Sequence, residues 1–165
     1  MINENNAHQA AMTIYEALGS YLRYREENDE RFSRLEKTPD DLSYMFTLQG
    51  EDIPMIFRMI VNEAANTVVL HSHIPFEWNQ DKLAIAAVAV CYASNALLDG
   101  CFDLDIEEKR IYYKMITSYD NDKIDNGIFS YMIALSAKIV DQYNDIFYLL
   151  NEGKLNITDL LSSKD

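Results

Sequence analysis

Cations are scarce in this 165-residue chain: 14 Lys and Arg stand against 27 Asp and Glu, for a net charge of −13. A surface this negative repels phosphate backbones, which excludes DNA or RNA as the expected partner. The Lys/Arg clusters that recognise anionic membranes are also missing. A basic protein partner fits this charge better. Cysteine is equally thin, with only Cys91 and Cys101; both read as free thiols in a reducing compartment. Three prolines and five glycines, beside a 48% hydrophobic share, exclude wholesale disorder. No signal-peptide pattern opens the chain, since MINENNAHQ lacks both a basic and an apolar region, and a cytoplasmic location is expected. The charge-free stretch Leu83 to Leu98 is sixteen residues long, short of the roughly 20 that a membrane span needs. It also carries Tyr92, Ser94 and Asn95. The length fits a single domain over 1–165, with a core over 7–152 and a C-terminal tail over 153–165.

What is present is a sequence of elements. Ala7 to Leu22 has helical spacing, with Ala11, Ile14, Tyr15, Leu18 and Leu22 on one side. Arg23 to Lys37 is mixed in charge and reads either as a helical extension or as a ragged edge strand, until Thr38-Pro39-Asp40 breaks it. Three strands follow: Ser43 to Leu48, Pro54 to Val61 and Thr67 to Ile74. In the second, Met55, Phe57, Met59 and Val61 oppose Ile56, Arg58 and Ile60, and the order reads as an antiparallel meander. Asn79 or Asp81 is positioned to cap a buried helix over Leu83 to Leu98, which Asp99-Gly100 ends. Such a run makes sense when a sheet or a second subunit buries it. Cys101 to Ile106 alternates, with Phe102, Leu104 and Ile106 inward and Asp103 and Asp105 outward. Arg110 to Thr117 supplies the other arm of a hairpin. A polar connector over Ser118 to Asp125 opens a long helix that ends near Gly153, and Leu155 to Leu161 adds one more helical turn. The expected architecture is α+β: an open antiparallel five-stranded sheet with helices packed on it, in the order αβββαββα.

Candidate chemistry is weak throughout. His71 and His73 share one strand face, but two imidazoles fall short of the three or four protein ligands of a zinc site. A solvated strand face accounts for them. Asp103 and Asp105 follow from alternation alone. The run Asp120-Asn121-Asp122-Lys123-Ile124-Asp125 fails the calcium-loop register, lacking Gly at the sixth position and Glu at the twelfth; it reads instead as an acidic helix start stabilised by the helix dipole. Cys91, inside an apolar helix, reads as a small hydrophobe, and Cys101 as core. Asn95, near the end of that helix, is expected to be buried and bonded to a strand end or loop. No glycine-rich phosphate loop or nucleophile elbow is present. No catalytic, cofactor-binding or metal-ligating residue is therefore assigned, and no enzyme activity is expected.

The element order, with Tyr92-Ala93-Ser94-Asn95-Ala96-Leu97-Leu98-Asp99-Gly100-Cys101-Phe102-Asp103-Leu104-Asp105 running into the hairpin, resembles the YbjN family, whose members share the fold of class I type III secretion chaperones. The resemblance spans residues 7 to 152. Two departures stand out: Arg23 to Lys37 has no counterpart, and the helix lacks the Trp found near the Asn in relatives. The resemblance implies a non-enzymatic protein that docks other proteins, as a bacterial stress or sensory regulator or as a secretion-chaperone-like protein, commonly a homodimer. The apolar, Tyr-rich surface agrees with a protein partner. Tyr112, Tyr131, Tyr143 and Tyr148 are the candidate partner-binding residues, since Tyr combines contact area with a polar tip. From another class, a small-molecule or enzymatic pocket between the sheet and the long helix is the alternative.

Overall fold

The protein is described from a computed structural model, over residues 4–120 and 123–162. Helix α1 runs over Glu4–Asn28. It outlasts its apolar stripe by a turn and a half because Arg25 and Asp29 pair across its C-terminal turn (2.8 Å). The inward residues Ala11, Ile14, Leu18 and Leu22 are fully buried. Four consecutive strands follow: β1 (Phe32–Lys37), β2 (Ser43–Gln49), β3 (Pro54–Asn62) and β4 (Thr67–His73). A 3-10 turn over Gln80–Lys82 leads into α2 (Leu83–Ser94), and the hairpin β5 (Cys101–Asp105) and β6 (Arg110–Ser118) comes next. Helices α3 (Asn126–Glu152) and α4 (Ile157–Ser162) complete the described chain.

The sheet has six strands, in the order β1-β2-β3-β4-β6-β5, with every pair antiparallel. The five expected strands are all present. The sixth, β1, lies in the stretch that sequence left open between helix and edge strand, and both descriptions apply to it in turn: helix to Asn28, then strand from Phe32. Phe32 anchors this strand by stacking on Phe46, which stacks in turn on Phe57 (4.3 and 5.1 Å between ring centroids).

Alternation decides the two faces. Tyr44, Phe46 and Leu48, then Met55, Phe57, Met59 and Val61, then Val68 and Leu70, and across the sheet Ile111, Tyr113 and Met115 are buried. Over them lie α1 against β1 and β3, α3 against β4 and β6, and α2 against β5. The helical layer is wired as well as packed. Asn151, buried near the end of α3, accepts from the Asn79 amide (2.9 Å) and donates to the Glu77 carbonyl (3.0 Å). Its own carbonyl receives Asn79 Nδ2 and Lys82 Nζ. Asn79 is thus committed to α3 and caps nothing on α2, contrary to expectation. Asp125 does cap α3, accepting from Gly127 N (2.7 Å). Of the acidic run before it, Asn121 and Asp122 lie outside the described residues.

The charge-free stretch departs most from its expected role. Its helix stops at Ser94, four residues early, and only Ala86, Ala89, Val90 and Ala93 are buried. Ala84, Ala87, Val88, Cys91 and Asn95 form an exposed stripe at helical spacing. Asn95 therefore needs no buried partner, and Cys91 is a surface thiol. Cys101, expected in the core, is half-exposed. Small alanines account for the difference: lacking charge, they suit either side of a helix. Ile106 likewise is exposed rather than inward, because β5 ends at Asp105.

Candidate protein-binding face

The even-numbered residues of β3 and their cross-strand neighbours occupy the sheet face that no described helix covers. Two rows cross its centre. One runs Thr47, Ile56, His73, Tyr112 and Asp103; the other runs Met45, Arg58, His71, Lys114 and Cys101. A third row runs Ser43, Ile60, Val69 and Ile116, apolar from β3 onward. Met45, Ile56 and Ile116 are 37%, 37% and 60% exposed. Long aliphatic side chains standing open on a strand face are the ordinary cost of an uncovered antiparallel sheet; Met45 and Ile56 are diagonal neighbours on β2 and β3, while Ile116 stands on β6 beyond the row of Arg58, His71 and Lys114.

At the centre, Tyr112 lies against both histidines, 4.6 Å from the His71 ring and 5.4 Å from that of His73. The histidine face is crowded rather than solvated. Burial, then His73, Lys114 and Arg58, pushes His71 down to about 4. Burial, then Arg110 and Arg58, lowers His73 as well. Both imidazoles are neutral at pH 7. Among the described residues no group of three His, Cys, Asp or Glu converges to hold a metal.

Three cations on this face, Lys114, Arg58 and Arg110, each have a carboxylate partner. Lys114 Nζ donates to Asp103 Oδ2 (2.7 Å), which also accepts from Tyr112 Oη (3.2 Å). This hydrogen bond from Lys114 holds the Asp103 carboxyl below its usual range against the opposing effect of burial, and raises Lys114. Arg58 pairs with Asp41, which folds over the face beside Ser43 and Thr38. Burial pushes the Asp41 carboxyl up, but hydrogen bonds from Ser43 and Thr38 and the charge of Arg58 together bring it below the ordinary value. Arg110 pairs with Glu77 (3.1 Å). Glu36, opposite Met45, and Asp105, opposite Arg110, add two carboxylates to this face that have no ion pair among the described residues.

Both sheet edges are blunted. At one, the Ser94 hydroxyl receives Phe102 N–H (2.9 Å) and donates to the Phe102 carbonyl (3.2 Å), occupying both backbone groups of the second residue of β5. At the other, β1 carries an irregularity between Ser33 and Glu36, Arg34 has φ +57°, and Leu35 N–H goes to Glu26 Oε1 (2.9 Å). Bulges, charges and side-chain plugs are how proteins prevent strand addition.

The four tyrosines singled out by sequence do not form one site. Tyr112 sits at the centre of the open face. Tyr131, on the outer side of α3, donates to Asp99. Tyr143 is in the core, edge-on to Phe102 (5.4 Å), because helical register turns it inward. Tyr148 is exposed, with its ring edge-on to Phe76 (5.9 Å) and Lys154 above it. Sequence did not bring Met45, Ile56, Ile60, Val69 and Ile116 together. The signal for them was the apolar content of both faces of β3, where a half-wet strand ordinarily alternates with polar residues. Among the described residues no helix is long and apolar enough to cross a membrane. No protein-family model, no curated protein and no solved structure matches this chain.

Proposed function

We propose that this chain is a non-enzymatic protein-interaction module of the cytoplasm that docks a protein partner on the open face of its sheet and self-associates as a homodimer. The YbjN-like, type III secretion chaperone-like reading belongs to the same proposal, with a regulator or a chaperone as its two forms. One observation carries it: an uncovered sheet face on which apolar residues flank the Tyr112, His71 and His73 rings and the three cations are each paired with a carboxylate. Such a surface loses little on desolvation of its paired cations and gains on burial of aliphatic and aromatic area. Its size is adequate. Six strands about 4.8 Å apart and about six residues long span roughly 500 Å² in projection, and the relief of side chains brings this toward the roughly 800 Å² per partner of a standard interface. The blunted edges favour docking through the face over strand addition.

Light scattering after size exclusion tests the proposal, with side-chain oxidation footprinting to locate the contact. The wild-type chain is expected at twice its single-chain mass, with Met45 and Tyr112 protected. Ile116→Asp, at a 60% exposed position, is expected to leave the fold intact and give a single-chain mass. A wild-type protein that stays monomeric at high concentration, with Met45 and Tyr112 fully reactive, overturns the homodimer.

A further inference from the structure

A cleft on the helical side of the molecule, beside α3, points to a small ligand. It has a volume of about 370 Å³ and lies between α3 and the loop that joins α2 to β5. That volume is at the lower end of the roughly 300–1,000 Å³ of typical ligand pockets. We propose that it binds a small organic monocation, an ammonium carried on an apolar body. The open sheet face takes no part in it.

Asp99 is the one side chain of the lining that is ionised at pH 7. Its carboxylate accepts from Tyr131 Oη and its carbonyl from Tyr113 Oη. Both partners are neutral, so neither cancels its charge, and Asp99 has no ion pair among the described residues. The hydrogen bond to Asp99, then burial and the Asp99 charge, raises the Tyr131 phenol, and burial raises that of Tyr143. No Lys, Arg or His occurs over residues 83–108, which span α2, its trailing loop and β5. The single cation of α3, Lys138, lines a different cleft, about 10 Å along the helix from Tyr131. The end of α2 adds to the negative ground. The helix stops at Ser94 with no basic residue in its last turn, and Ala96, Leu97 and Leu98 beyond it line the cleft. The carbonyls of residues 95–98 accept no backbone hydrogen bond. A helix C-terminus carries partial negative charge and favours a cation; here no side chain of α2 supplies one.

Leu135 and Ile139 of α3 and Leu97 and Leu98 of the loop form the apolar walls. Leu98 is fully exposed, a cost that an apolar ligand body lying on it removes. Tyr131 and Tyr143 complete the lining, and tyrosine rings attract organic cations. A bare ammonium or metal ion makes no use of these walls, and a carboxylate meets Asp99 as a like charge. A neutral apolar body leaves both Asp99 and the end of α2 without a counter-charge.

NMR titration of the amides with hexylammonium tests the assignment, with hexanoate, hexanol and ammonium chloride as controls. Hexylammonium is expected to shift the amides of Leu97, Leu98, Leu135 and Ile139 and to weaken as salt rises. Hexanol is expected at the same amides with roughly threefold lower affinity, the worth of an exposed ion pair. Hexanoate and ammonium chloride are expected to leave those amides in place. Asp99→Asn keeps an acceptor for Tyr131; it is expected to reduce hexylammonium to the affinity of hexanol and to leave hexanol unchanged. Leu98→Ser, at an exposed position, is expected to weaken both, with an unchanged circular dichroism spectrum for either variant. Hexanoate or hexanol binding as tightly as hexylammonium, unchanged hexylammonium affinity in Asp99→Asn, or shifts spread over the acidic surface overturns the site. Ammonium chloride shifting the same amides overturns the apolar-body assignment.

Discussion

Gly100 carries more of this structure than its size suggests. It joins α2's trailing loop to β5 with φ +68°, a backbone region that costs any residue with a side chain. Space is a second constraint: a Cβ at Gly100 would stand 2.5 Å from Tyr113 Oη and 2.7 Å from the Lys114 carbonyl. Tyr113 itself is fixed there, fully buried and donating to the Asp99 carbonyl. Burial, then the charge of Asp99, pushes its phenol up to about 12, so it remains a donor at any physiological pH. Gly100→Ala is therefore expected to destabilise the protein by about 1–3 kcal/mol, read as a lower urea midpoint with an unchanged slope. Gly127→Ala is the control: it has an ordinary φ, and its Cβ would meet nothing closer than 3.3 Å. Equal effects of the two substitutions would refute this account of Gly100.

At the scale of elements, the sheet couples stability to pH through the histidines of β4. Each is held below its unfolded value of 6.5, His71 at about 4. The unfolded chain therefore takes up these protons first. Their contribution is fully present above pH 6.5 and declines as pH falls toward 4. Asp29, Asp41 and Asp103, whose carboxyls are depressed from 3.8, withdraw their stabilisation only below that range, so the two windows separate. Stability is expected to drop between pH 6.5 and 4.5 in the wild type and to stay nearly level there in His71→Gln/His73→Gln, as followed by denaturant midpoints. Imidazole NMR signals titrating at 6.5 would remove the cause. The strands that carry this effect were legible from sequence because β3 and β4 are dense in large apolar and β-branched residues between turn signals and β6 places Ile111, Tyr113 and Met115 in alternation. The open face was not, since alternation tells which residues share a side and nothing about what lies over it. The reach of α2 is illegible in the sequence for a related reason. Sixteen uncharged residues specify that water is tolerated poorly nowhere in particular, and only the neighbours α3, β5 and α4 decide which alanines are covered.

At the scale of the whole molecule, charge and shape divide the labour. On the open face Arg58, Lys114 and Arg110 each have a carboxylate partner, and Glu36 and Asp105 add acid to it. Two copies approaching one another each bring a net −13, and this repulsion acts over a Debye length of about 10 Å at 0.1 M salt. Contacts within the face are nearer than that and partly desolvated, so salt screens the long-range repulsion more than it weakens the local pairs. Apolar burial is insensitive to screening. Raising NaCl from about 0.05 to about 0.5 M, which shortens the screening length roughly threefold, is accordingly expected to tighten self-association. Sedimentation velocity across a concentration series measures this directly. Ile116→Asp separates the contributions, because it adds a charge to the face without altering the surplus elsewhere by more than one unit. Its residual association is expected to be weak at low and high salt alike. Dissociation of the wild type on adding salt would mean that ion pairs between copies, rather than the apolar part of the open face, hold them together, and the contact would then have to be sought among the acidic surfaces.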